Sequence, residues 1–354
     1  LFKRETIKKF VDAYIDIINS LSNENALQTT IADILNIDDR KHNNVLSVSS
    51  EDMKWFESIS NDHNPLHVDE KYAAATVYGE CVVYGALGVL KAISMFAADT
   101  LENIHIRSLD VQFINPLFID KKYECRYESV GNNEVKIEIC SEKNTNTIIT
   151  LVYDNDPIRK PDPEQEMVSV NSDVSALDPS VSQIAKFNEM GEYCLNLNSS
   201  NAAVIKQMNV DNYVVCVMSF ASWLVGMRNP GKRALFLKLK IDFDGVHDYF
   251  KTDYFAKTIS CNDELGQIKM KCLLNTELSS ADLLIESLIR PEVERSFSNS
   301  ISVLDESALS EYTEFNGKNV LVIGGSRGLG ADIAFQMASL GTNVIISYVH
   351  NSEA

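Results

Sequence analysis

The sequence predicts an α+β fold: two helix-wrapped antiparallel sheets in tandem, followed by a truncated βαβ unit of the dinucleotide-binding kind. Three observations predict it. A nearly unbroken apolar run over residues 73–98 precedes three stretches of apolar/polar alternation and an apolar run at 148–153. A weaker copy of that plan returns later, Val111-Gln-Phe113 superposing on Ile241-Asp-Phe243 at an offset of 130 residues. A glycine-rich turn between an apolar strand and a helix pattern follows near the C-terminus.

In chain order, residues 1–40 read as a helical tail, with Phe10, Tyr14, Ile17, Ile18 and Leu21 at three-and-four spacing. Residues 51–59 read as an amphipathic helix N-capped by Ser50, with Glu51 and Asp52 suited to its dipole. The run 73–98 predicts a helix buried over most of its circumference. Leu109, Val111 and Phe113, then Tyr123, Cys125 and Tyr127, then Val135, Ile137 and Ile139, then residues 148–153, predict the sheet around it. This first domain spans 45–155. A polar link at 156–163 leads to a second, 180–290, with an apolar helix at 213–227 and alternation at Leu235–Phe243 and Ile268–Leu274. A linker over 291–317 precedes the βαβ start at 318–354.

The 354 residues predict two or three domains, with 45% hydrophobic and 23% charged residues, ordinary for a globular chain. A net charge of −18 argues against nucleic acid and anionic membrane as partners. Seven cysteines form no metal-ligand spacing and read as buried thiols of a reducing, cytoplasmic compartment, and no metal is expected. The chain opens Leu-Phe-Lys-Arg-Glu without Met or an apolar signal, so neither secretion nor a natural start is expected. The longest apolar run falls short of the ~20 residues that span a bilayer.

Asn61-Asp62-His63-Asn64-Pro65-Leu66-His67 sets a carboxylate and an imidazole five positions apart in a turn-rich loop, the minimum equipment for moving a proton to and from water. Asn64 would brace the loop and Pro65 stiffen it. Gly85 opens the apolar helix, whose first-turn N–H groups can face a developing oxyanion. Read alone, Asp, Asn and Pro also suit a plain turn. At the repeat offset Asp62 falls on Glu192 and His67 on Leu197, so the second copy lacks the pair and is expected to supply a pocket wall. Arg228, Lys232 and Arg233 form a compact basic cluster that could receive a phosphate or an acidic carrier protein. Gly324, Ser326, Arg327, Gly328 and Gly330 form the nucleotide-binding turn.

The stretch Phe56-Glu-Ser-Ile-Ser-Asn-Asp62-His-Asn64-Pro65-Leu-His67-Val-Asp69, with Tyr72-Ala-Ala-Ala, Val82-Val-Tyr84-Gly85 and Asn115-Pro116-Leu117-Phe118, resembles the MaoC-like, R-specific enoyl hydratase and dehydratase family. The resemblance implies a double hot-dog fold acting on acyl thioesters of CoA or a carrier protein, with Asp62 and His67 as the catalytic pair and Gly85 as oxyanion donor. Asn64 and Tyr84 are expected at the substrate; the family commonly has His at the latter position, and its helix Ser has no in-register match, Ser94 lying one residue late. Residues 318–354 resemble the start of a short-chain dehydrogenase/reductase. Arg327 and the lack of an acid after the second strand lean towards NADP. The tail 1–40 resembles the closing helix of a nonribosomal-peptide condensation domain. The expectation is a cytoplasmic hydro-lyase inside a multienzyme, its partners an acyl thioester, neighbouring megasynthase domains and a homodimer mate. No cofactor is expected for its own step, and NADP is expected for a complete reductase domain. The alternatives are a hot-dog thioesterase and a non-catalytic structural module.

Overall fold

Side chains alternate across the strands, and hydrogen bonding joins ten strands into a single antiparallel sheet where the sequence predicts two. The computed structural model describes residues 44–100, 104–131, 133–154, 175–245, 251–291, 314–326 and 328–348. The expected tail at 1–40, the link at 156–163, most of the linker and Arg327 lie outside them.

The first repeat contributes β1 (Val45–Ser47), α1 (Ser50–Ser60), the short α2 (Pro65–Val68) and α3 (Glu70–Ala74), then α4 (Gly85–Thr100) and β2–β5 (His105–Phe113, Lys122–Gly131, Glu134–Cys140, Thr145–Asp154). The second contributes α5 (Val181–Ala185), β6 (Asn188–Cys194), α6 (Ser199–Gln207), α7 (Asn212–Trp223) and β7–β10 (Ala234–Gly245, Lys251–Asn262, Gln267–Asn275, Ser279–Ile289). Strand order is β1-β3-β4-β5-β2-β7-β10-β9-β8-β6. Reading outward from the central β2–β7 seam, the two halves run β2, β5, β4, β3 and β7, β10, β9, β8. The same order on both sides is the mark of duplication.

Leu87, Leu90 and Ile93 of α4 are fully buried, and so is almost all of α7 from Tyr213 to Ser222. Each large apolar side chain so buried contributes roughly 1.5–3 kcal/mol. The facing strand rows are Val135, Ile137 and Ile139 on β4 and Ile268, Met270, Cys272 and Leu274 on β9. Across the seam, Leu109 pairs with Ile241 and Val111 with Leu239, and the ladder stops at Gln112 and Lys238.

Four further sequence expectations are corrected. The run 73–98 is not one helix: Gly79 takes φ 76° and Val82 bridges to Phe118, so α4 begins only at Gly85. The cap of α1 is Ser49, not Ser50; its extended backbone lets Ser49 and Asp52 exchange bonds in a capping box. Helix α7 continues past Trp223 as a π turn, Leu224–Arg228. Of the seven cysteines, Cys81, Cys194 and Cys261 are only partly buried, and all seven are free thiols.

Separately, β11 (Asn319–Ile323) and β12 (Asn343–Ser347) pair in parallel, joined by α8 (Gly328–Ser339). This is the expected strand–turn–helix–strand order.

Candidate active site

The acid–base loop is built by three successive caps. Asn61 ends α1 in the left-handed region at φ 56°, a conformation Asn tolerates, and so turns the chain sharply. Asn64 then caps α2, its side-chain oxygen accepting from the Leu66 N–H at 3.0 Å with Pro65 in the first turn. Asp69 caps α3. Between the first two caps sits Asp62, 1% exposed. Its N–H donates to Ser60 Oγ, its Oδ1 accepts from the Asn64 N–H at 3.1 Å, and its carbonyl accepts from the Tyr84 hydroxyl at 2.7 Å.

The other half of the grip comes from the second repeat. Ser222, on α7, donates to Asp62 Oδ2 at 2.7 Å. Gly226, in the π turn, lies so close that a Cβ there would stand 2.5 Å from Asp62 Oδ1. Asn64 Nδ2 donates to the carbonyls of Gly226 (2.8 Å) and Gly231 (3.1 Å). Tyr193 donates to the Ser60 carbonyl at 3.0 Å. A π turn, with its i→i+5 hydrogen bonding, is a recurrent feature of functional sites.

His67 Nδ1 faces the Val82 carbonyl at 2.7 Å; a carbonyl can only accept, so the proton sits on Nδ1 and Nε2 keeps a free lone pair. The ring packs on Tyr84 with centroids 4.1 Å apart. Burial pushes the imidazole down to about 4, helped by the Arg290 charge and opposed by the Val82 bond. Burial pushes the Asp62 carboxyl up to about 7, against the donors Ser222 and Asn64. At neutral pH the site therefore holds a neutral imidazole beside a carboxyl poised between its two forms.

Asp62, Asn64, His67 and Gly85 line one cavity of about 140 Å³. One water needs only ~10–15 Å³ on the same measure, so an acyl group fits as well. Ser222, Val225 and Gly226 also line the cavity, as do Phe113 and Phe236 beyond the end of the β2–β7 ladder, their rings 5.2 Å apart. Gly85 is the first residue of α4, where backbone N–H groups lack helical acceptors. A Cβ there would stand 2.8 Å from the Phe113 ring, so any other residue would force that ring to shift.

Other expected residues lie elsewhere. Tyr84 is fully buried behind the cavity and holds the loop rather than a substrate. Arg228 is paired with Glu189 at 2.6 Å and lies over Trp223, and Arg233 is paired with Asp178 at 2.9 Å. Lys232 sits over the Tyr72 ring in a separate shallow pocket with His63 and Asp69. The basic cluster therefore does not converge on the cavity. Glu192, the repeat counterpart of Asp62, pairs with Lys251 on the sheet. Gly324, in the turn before α8, and Gly328, its first residue, take φ 74° and 53° with open space beside both, and Ser326 is buried within that turn. Gly330 lies in the first turn of α8, and Arg327 is outside the described residues.

Sequence reasoning missed Ser222 and Gly226. The only available signal was a hydroxyl and a glycine interrupting the apolar run at 213–227.

Residues 36–150 match the model described as MaoC like domain. The chain is also similar, at low identity, to solved structures. A putative MaoC domain protein dehydratase from Chloroflexus aurantiacus is 8% identical, covering 70% of this chain and 93% of that one, with TM-score 0.48. A conserved hypothetical protein from Mycobacterium tuberculosis, described as a double hotdog fold, is 9% identical over 69% and 93%, with TM-score 0.46. An acyl-CoA thioesterase II from Mycobacterium marinum is 11% identical over 60% and 91%, with TM-score 0.38. Among curated proteins, the L-rhamnose 1-dehydrogenase (NADP(+)) of Thermoplasma acidophilum is 52% identical over 42 residues, 12% of this chain. The chain spans only 16% of that relative's length.

Proposed function

We propose that the cavity carries out reversible hydration of trans-2-enoyl thioesters and dehydration of (R)-3-hydroxyacyl thioesters. The observation that carries this reading is the meeting of Asp62, His67 and the Gly85 helix start on one largely apolar cavity. The thioester carbonyl oxygen faces the Gly85 N–H. A water lies between the Asp62 carboxylate and His67 Nε2. Its oxygen bonds to Cβ while its proton passes to Asp62; the electron pair of the double bond moves onto the carbonyl oxygen as an enolate. The enolate then collapses, Cα takes the proton back from Asp62, and the carboxylate is restored. Water has added across the double bond with no net proton change. One well-placed oxyanion donor is worth about 3 kcal/mol at the enolate. A carboxyl titrating near neutrality suits both halves of the proton transfer.

The acyl group is carried on CoA or a carrier protein, within a cytoplasmic fatty-acid, polyketide or mixed peptide assembly line. The glycine-rich turn would receive the pyrophosphate of NADP: Gly324 and Gly328 have open space beside them at a helix start, where backbone N–H groups and Ser326 would hold the anion. When bound to a complete reductase domain, NADPH would supply a hydride to the carbonyl carbon of a 3-oxoacyl thioester, which with a proton on its oxygen becomes the 3-hydroxyacyl substrate for dehydration.

The test follows the absorbance of the conjugated double bond in crotonyl-CoA, longer enoyl-CoA esters and carrier-bound equivalents. Wild-type protein is expected to consume it, and Asp62→Asn to lose roughly 10²–10⁴-fold in turnover. Free thiol release with the double bond intact would mean a thioesterase. No turnover of any thioester would mean a non-catalytic module.

A further inference from the structure

The second repeat carries no dyad, yet it touches the first repeat's carboxylate directly. Ser222 and Gly226 are four residues apart, one on the last turn of α7 and one in the π turn, and both face Asp62. The hydroxyl supplies a donor to Oδ2 at 2.7 Å. The glycine supplies space: the two carboxylate oxygens lie 2.5 and 2.8 Å from where its Cβ would be. The same glycine's carbonyl receives Asn64 Nδ2, so the π turn grips the loop on both sides of His63. His63 itself donates its N–H to Met227 Sδ. With Oδ1 held by the Asn64 N–H and Oδ2 by Ser222, the carboxylate plane has no freedom to rotate.

We infer that Ser222 and Gly226 form a socket in which the second repeat orients the Asp62 carboxylate, Ser222 being a positioning residue and not part of a passive wall. The inference rests on the hydratase reading for its kinetic consequence, though the socket itself does not. A hydroxyl donating to a carboxylate favours the ionised form, so its removal moves the titration of Asp62 upward.

The test compares wild type with Ser222→Ala, Ser222→Thr and Gly226→Ala, all as the full chain. Ser222→Ala is expected to lower kcat for enoyl-CoA hydration by roughly tenfold to a hundredfold, the loss of one hydrogen bond to a charged group. KM is expected to change less than about threefold, and the acid limb of the pH profile to move to higher pH. Ser222→Thr keeps the hydroxyl and restores kcat and the limb. Gly226→Ala is expected to lose activity while still binding saturated butyryl-CoA, because its methyl displaces the carboxylate and not the acyl group. If wild type turns over no enoyl thioester, the hydratase reading falls, and the socket is then read from the ¹³C titration of the Asp62 carboxyl in wild type and Ser222→Ala. An unmoved acid limb and an unmoved titration in Ser222→Ala, or a loss that Thr does not restore, overturns the inference.

Discussion

Asp62→Asn should stabilise the protein at alkaline pH while destroying its chemistry. Burial lifts the Asp62 carboxyl from the ordinary 3.8 to about 7, so between those values the folded protein holds a proton that the unfolded chain has released. A raised value means stability that is full at low pH and is lost as pH climbs through about 7. Each pH step across that window costs about 1.4 kcal/mol, so from pH 5 to pH 8 Asp62 alone withdraws about 3 kcal/mol. Asn cannot ionise and is exempt from that loss. The shape is conserved, since Oδ1 still accepts from the Asn64 N–H and the Ser222 hydroxyl can rotate to accept from the amide. Groups other than residue 62 titrate alike in both proteins and cancel in the difference. Equilibrium urea unfolding at pH 5 and pH 8, followed by the fluorescence of Trp55 and Trp223, gives the stability of each protein at each pH. The stability of Asp62→Asn relative to wild type should improve by about 3 kcal/mol between the two conditions. A relative stability that differs by less than about 1 kcal/mol would refute the claim that an ionised, buried carboxylate is the strained element of this site.

Two further outcomes follow from the same geometry. The proposed hydration needs Asp62 ionised, so on that reading kcat/KM should climb with pH through about 7 and level off above it, and His67, neutral down to about 4, should add no second bend above pH 5; a bell with a falling limb between pH 7 and 9 would contradict this. Tyr84→Phe keeps the ring against His67 but strips the donor from the buried Asp62 carbonyl. A loss of about 1–3 kcal/mol in urea unfolding is expected, with activity reduced through loosening of the loop; unchanged stability would show that the carbonyl finds another donor.

Much of the first repeat was legible because its signals are local. Alternation at Val135, Ile137 and Ile139 reports a strand with one face buried, whatever that face meets. The polar turn with Asn64 and Pro65 reports a capped bend, and a carboxylate and imidazole within it stand out against apolar surroundings. Less legible were β8 and β10, whose exposed rows carry Lys, Asp, Glu and Ser between apolar residues near turns that blur the period. The break between α3 and α4 was hidden because Val82 and Val83 are as apolar as the helix they precede, and what stops them from being helical is a bridge to Phe118 far along the chain.

By itself, then, the sequence determined the local alphabet of this protein: a duplicated helix-and-sheet plan, an Asp/His loop in one copy only, and a glycine-rich turn between a strand and a helix. Tertiary structure alone decided which groups surround the carboxylate. Ser222 and Gly226 reach Asp62 from about 160 residues away, and Arg228 and Arg233 are turned aside to Glu189 and Asp178. The physical reason is that secondary structure and capping are set by neighbours within a few residues. Hydrogen bonds, burial and hence proton affinity are set by whatever the folded chain brings within about 3 Å.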